Sequence, residues 1–243
     1  MTYCVAMRLA DGLVFASDSR TNAGVDHIST FRKMHVFDAR DNRVLVILTA
    51  GNLATSQSVI TLLRSRTRGG VDDHLLNVPT LYDAAELVGE TLREVLHRDA
   101  QGQQQCQGVD FGCTMLLGGQ IAGEEPRLFM LYPQGNFIEA TSDTPYFQIG
   151  ESKYGKPVID RVVDYDTSLE LAYQSALISF DSTMKSNLSV GMPLDLMVYR
   201  NDSLDASQRH RIDESDAHFT TVRELWNQGI RDLIHRLPLP QLP

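Results

Sequence analysis

The amino-terminal fifty residues are built from short apolar stretches. Thr2 to Leu9 and Leu13 to Ser17 are runs of β-formers around Ala10-Asp11-Gly12, and an Asp-Gly pair between apolar runs predicts a hairpin. A polar connection from Arg20 to Ser29 leads to Phe31–Asp38, where Phe31, Lys33, His35 and Phe37 alternate with Arg32, Met34, Val36 and Asp38. Arg43 to Thr49 is almost continuously apolar, as in a strand buried on both faces, and it ends at Ala50-Gly51.

From Asn52 the period changes. Leu53, Ser56, Val59, Ile60 and Leu63 recur at helical spacing, with Asn52 as N-cap and Gly69-Gly70 as the stop. Thr80-Leu81-Tyr82-Asp83 opens a second helix, whose stripe is Leu81, Ala84, Ala85, Val88, Leu92, Val95 and Leu96, and a surface loop is predicted over 99–110. Strands return at Phe111–Leu117, Leu128–Tyr132, Asn136–Ala140 and Tyr146–Ile149, punctuated by Gly118-Gly119, Pro133-Gln134-Gly135 and Pro145. A helix capped by Thr167 and Glu170 follows, then a strand at Leu194–Tyr199. An amphipathic helix over His218–Leu237 carries Phe219, Val222, Trp226, Ile230 and Leu233 on one face and leads into a Pro-rich tail that cannot be helical. Strand blocks alternating with helix blocks predict an α+β fold, two antiparallel sheets between helical layers, in a single domain over 1–243.

Composition narrows the function. No apolar run is longer than Val44–Leu48, against the roughly 20 residues of a bilayer span, and no basic leader precedes an apolar stretch, so the expected location is the cytoplasm, with no membrane partner. A net charge of -9 repels phosphate backbones and argues against nucleic acid. Cys4, Cys106 and Cys113 form no CxxC pair and are expected as buried thiols. Neither GxGxxG nor GxxxxGK[ST] occurs. The histidines lack HExxH spacing, Asp72-Asp73-His74 suits a solvated turn, and Ser182 and Ser186 sit in no GxSxG elbow, so neither metal nor cofactor is expected.

The candidate chemistry starts at the first residues. Methionine before a small residue is normally trimmed in bacteria, which would make Thr2 the first residue and put a free α-amine beside its hydroxyl. An amine titrating near 7.7 to 8.0 can take the hydroxyl proton near neutrality. In the opening hairpin Thr2 and Asp18 come to the same end of the sheet, and the next strand can bring Lys33 beside both as a fixed cation. Cys4 follows the bulky Tyr3 and reads as a strand thiol instead of a nucleophile.

Thr2, Ser17-Asp18-Ser19-Arg20, Phe31-Arg32-Lys33 and Thr49-Ala50-Gly51 resemble, in order and spacing, the opening of proteasome β-subunits. Ile149-Gly150-Glu151-Ser152 before a helix and Lys185–Gly191 before a strand match more loosely, and within that superfamily the chain looks most similar to the bacterial ancestral β-subunit homologues. The resemblance implies a four-layer αββα sandwich of the N-terminal nucleophile hydrolase type. It implies threonine-type hydrolysis of peptide amides with Thr2 as nucleophile and amine base, Asp18 and Lys33 as its charge pair, and the Gly51 N–H as oxyanion donor. Ser189 matches a family serine near the amine, and Arg20 and Thr21 would border the substrate cleft. Where the family has an Asp this chain has Ser186, and where it has another Ser this chain has Glu151, so an acidic neighbour of the amine would be Glu151 or Asp181. A ring or spiral of identical subunits, a peptide or unfolded-protein substrate and an ATPase or adaptor are the partners implied. The alternatives are a weak or silent assembly subunit, or a small-amide hydrolase.

Overall fold

Ala10 and Asp11 turn the chain between β1 (Tyr3–Leu9) and β2 (Gly12–Asp18), whose antiparallel register runs from Leu9↔Gly12 to Cys4↔Ser17. The computed structural model describes residues 2–22, 28–70, 73–101 and 110–241. The first sheet continues on both sides of this hairpin, with β10 (Tyr146–Gly150) outside β1, then β11 (Leu194–Arg200) and β12 (Arg209–Ile212) outside β2, all antiparallel. The second sheet is an antiparallel meander of β5 (Met34–Ala39), β6 (Arg43–Gly51), β7 (Cys113–Ile121), β8 (Arg127–Leu131) and β9 (Phe137–Glu139).

Strand alternation sorts the apolar side chains into layers. Cys4, Ala6, Leu13 and Phe15 of the first sheet meet Val44, Val46, Leu48 and Leu116 of the second, forming the middle of the sandwich. Leu45, Ile47, Met115 and Leu117 turn outward onto α1 (Leu53–Gly69) and α2 (Leu81–Gln101). Val5, Met7, Val14 and Leu196 turn outward onto α3 (Lys156–Val162), α4 (Leu169–Ser186) and the start of α5 (Ala217–Arg236). The result is the αββα sandwich.

The caps explain where the helices start. Asn52 accepts from the Thr55 N–H, and Gly70 closes α1 in the left-handed region. Thr80 and Asp83 bond reciprocally, side chain to backbone N–H in both directions, which starts α2. The third predicted cap is one residue off. Thr167 Oγ1 is taken by the turn before the helix, accepting from the Asp164 N–H and donating to the Asp164 carboxylate, so Ser168 caps α4 instead.

Other departures have physical causes. The polar connection after β2 contains a small hairpin, β3 (Arg20–Asn22) with β4 (Ile28–Thr30). Gly118-Gly119 is no turn; β7 runs through it to Ile121, because the missing Cβ of Gly118 leaves room for the Phe15 ring from the facing sheet. α2 extends to Gln101, and the rest of the predicted loop up to Val109, Cys106 included, lies outside the described residues. Cys4 and Cys113 are buried and free.

Candidate active site

Tyr3 begins β1 and anchors the residue before it. Its ring is fully buried, 4.6 Å from that of Phe180, and its hydroxyl is 2.6 Å from Ser179 Oγ and accepts from Gln148 Nε2. Burial pushes its phenol well above the ordinary value, so it stays protonated. Gly155 closes over this network where a Cβ would collide with Ser179 and the Tyr3 hydroxyl.

The peptide unit joining Thr2 to Tyr3 is gripped from both sides. The Thr2 carbonyl accepts from the Glu151 N–H at 2.7 Å, and the Tyr3 N–H donates to Asp18 Oδ1 at 3.1 Å. Gly150 makes the first contact attainable, since its φ is +80° and a Cβ there would collide with the Thr2 carbonyl. Half-buried Thr2 is thus held through its own carbonyl by the Glu151 N–H and, one residue on, through the Asp18 carboxylate.

Asp18, which holds the Tyr3 N–H next to Thr2, meets Lys33. Lys33 Nζ lies 2.6 Å from Asp18 Oδ1 and 2.6 Å from the Arg20 carbonyl oxygen, with Lys33 only 4% exposed and Asp18 fully buried. Asp18 Oδ2 accepts from the Gly191 N–H at 3.4 Å. Burial pushes the Asp18 carboxyl above its ordinary range, while the Lys33 ammonium and the N–H groups of Tyr3 and Gly191 pull it back. One carboxylate therefore ties together the starts of β1 and β5 and the segment leading into β11.

Gly51 is the last residue of β6, with φ +109° and no room for a Cβ against the Gly112 carbonyl. The Thr49 N–H donates to the Lys33 carbonyl, and strand alternation puts the Gly51 N–H on that same edge, beyond the first residue of β5. Ser189 is half-buried in the turn after α4, its N–H on Asn187 Oδ1. Arg20 turns back to bond the Leu188 carbonyl and packs on Gly191, tethering that turn to β3, and Thr21 lies half-buried in β3 opposite Ser29.

Of the acids proposed near the amine, Glu151 adjoins Thr2 through its own backbone N–H and stands 3.9 Å from Lys153. Asp181 is buried in α4 and bound to Arg223 of α5 at 2.7 Å, and Ser186 is exposed at the end of α4. Sequence reasoning missed the Tyr3–Gln148–Ser179 anchor altogether; Gly150-Glu151 was visible as a motif but not as the clamp on Thr2. Among the described residues no three His, Cys, Asp or Glu cluster to hold a metal ion, and no helix is long and apolar enough to cross a membrane.

The family model described as Proteasome subunit matches residues 2–198. The solved structure of Anbu (ancestral beta-subunit) from Yersinia bercovieri is 57% identical, with a TM-score of 0.93 over 99% of this chain and 100% of that one. The helical assembly of the Anbu complex from Pseudomonas aeruginosa is 58% identical, with a TM-score of 0.94 over 98% of each chain. The proteasome subunit beta of Haloquadratum walsbyi is 25% identical over 214 residues, 88% of this chain and 79% of that protein. This chain therefore belongs to the proteasome subunit family, with the β-subunit-like fold of the N-terminal nucleophile hydrolases, and is similar to Anbu, the ancestral beta-subunit.

Proposed function

We propose that the protein is a threonine-type amide hydrolase acting on peptides, with Thr2 as its nucleophile once Met1 is removed. The observation that carries this reading is that the Thr2–Tyr3 peptide unit is held on both sides, on one of them by the Asp18 of the buried Asp18–Lys33 pair. In this scheme the α-amine takes the proton as Thr2 Oγ attacks a peptide carbonyl. The Gly51 N–H receives the oxyanion, the amine passes the proton to the leaving nitrogen, and water releases the acyl group. Lys33⁺ favours both the developing alkoxide and the neutral amine, and Asp18 holds that cation in place. We also propose self-assembly into a ring or spiral, supported by the exposed apolar face of α5 and by the helical assembly of the Anbu relative.

A second reading, an assembly subunit with little turnover, is favoured by one observation. Asp181 is committed to Arg223 and Ser186 is exposed, which leaves Glu151 as the acid beside Thr2. The test begins with intact mass, to confirm that Thr2 is the first residue, and continues with turnover of peptide amides and activated esters. Thr2→Ala is expected to lose roughly 10³-fold or more in kcat while keeping its thermal transition. The rate should fall as pH drops below about 7.7, where the amine takes a proton. Full turnover in Thr2→Ala sinks the hydrolase mechanism, and no acylation of a confirmed amino-terminal Thr2 supports the assembly reading.

A further inference from the structure

At one side of the sandwich the free edges of its two sheets face a common cleft of about 510 Å³. Three consecutive residues of β5, Met34 to Val36, line it, and so do three of β12, Arg209 to Arg211. A strand presenting a face contributes every second residue, so runs of three mean that the strand edges, with their main-chain donors and acceptors, border the cleft. Among the described residues these are terminal strands, each with a neighbour on one side only.

The cleft is basic in a chain whose net charge is -9. Arg32, Arg64 and Arg209 bring guanidiniums that make no ion pair with a carboxylate among the described residues; Arg64 lies over the Phe37 ring and Arg209 exerts only a longer-range attraction on Asp205. Arg211 pairs with Asp195 at 2.6 Å through Oδ1. Asp195 is only 9% exposed, and its Oδ2 has no hydrogen-bond partner. Ser17 lies directly across from it in the sheet, and its buried hydroxyl has no partner either. His35 adds no charge at neutral pH, because burial, and after it Arg64, lower its titration to about 4.

These features select a ligand. It carries several anionic groups for the guanidiniums, and it also offers main-chain donors and acceptors to the terminal strand edges. A phosphate-type oxyanion meets the first need and not the second. An extended acidic peptide meets both, because carboxylates match the guanidinium fork and main-chain N–H groups recur along a strand that can add to a free edge. We infer that the cleft docks an extended, acidic peptide segment of a partner protein along the β5 or β12 edge. It adjoins the candidate active site, since Arg32 precedes Lys33 and Ser17 precedes Asp18, yet the inference does not depend on Thr2 chemistry and is read by binding alone.

The experiment is fluorescence anisotropy of the full-length protein with a labelled peptide of alternating Glu and Val. The acidic peptide is expected to bind at low salt and to dissociate at high salt, with each of Arg209→Ala and Arg32→Ala weakening it roughly tenfold. Both side chains are exposed, and circular dichroism checks that the variants fold. Methylating alternate backbone nitrogens of the peptide should also weaken binding. The inference is overturned if no binding is seen, which would leave the arginines as guards against edge pairing. Equal affinity for a control peptide of alternating Lys and Val, displacement by inorganic triphosphate at the same concentration, or indifference to N-methylation each overturns it as well. So does a change confined to oligomer mass in the arginine variants with peptide affinity unchanged.

Discussion

Lys33 shows how much of this protein's chemistry rests on one buried cation. Its ammonium lies between Asp18 and the Arg20 carbonyl, away from solvent, so removing it strands a desolvated carboxylate. Lys33→Ala should cost about 3–5 kcal/mol of stability, measured by denaturant unfolding, in addition to any turnover. The pair Asp18→Asn with Lys33→Met should recover much of that stability and none of the activity, which separates the structural role from the catalytic one. His35 makes a second test. Its pKa in the fold, about 4, lies below its ordinary 6.5, chiefly through burial and then through Arg64. As pH falls through 6.5 the unfolded chain takes a proton that the folded chain refuses. Stability should therefore drop between about pH 6.5 and 4, by up to about 3 kcal/mol. His35→Gln should flatten that part of the profile, and an unchanged slope would mean that His35 is not the titrating group.

Elements meet where side chains are absent as well as where they are present. Gly118 lies mid-strand in β7, and an added Cβ would come within 2.9 Å of the Phe15 ring carbons across the sandwich. Gly118→Ala is expected to destabilise by about 1–3 kcal/mol. Part of that loss should return in the Gly118→Ala, Phe15→Leu double variant, whose coupling a thermal-unfolding cycle measures. The glycine pair resembles turn punctuation because a turn and a close sheet-to-sheet approach both favour a residue without a side chain. Asn52 and Gly70, in contrast, act within one helical turn of their own positions, and the boundaries of α1 follow from them.

For the whole molecule, α5 decides the outer surface. The family match ends at residue 198, before β12 and α5, whereas the Anbu structures cover nearly the whole chain. Phe219 and Val222 anchor the start of α5 in the core, but the same stripe continues through Ile230, Leu233 and Leu237 at 37%, 59% and 56% exposure. A helix face that stays apolar after leaving its own core is suited to a neighbouring subunit. Leu233→Asp with Leu237→Asp should shift light scattering toward the 27.2 kDa monomer, and the wild-type assembly should strengthen with salt as the acidic charge is screened. An unchanged mass in the double variant would place the interface elsewhere.

The opening hairpin, the α1 and α2 caps, the helical stripes and the layered α+β character were legible in the chain, because each depends on residues a few positions apart. Thr2, Asp18 and Lys33 could be picked out as one set by spacing and resemblance. The register of β1 against β10 brings Gly150-Glu151 onto the Thr2 carbonyl, and the stacking of two sheets sets Gly118 against Phe15. Asp181 looked available until α5 packed on α4 and gave it Arg223. The same long-range packing joined the edges of two distant strands into a basic cleft. Periodicity and capping act over one or two turns of chain and can be read locally, whereas burial, ion pairing and the identity of an empty space depend on which distant segments are brought together, and only the packed structure settles that.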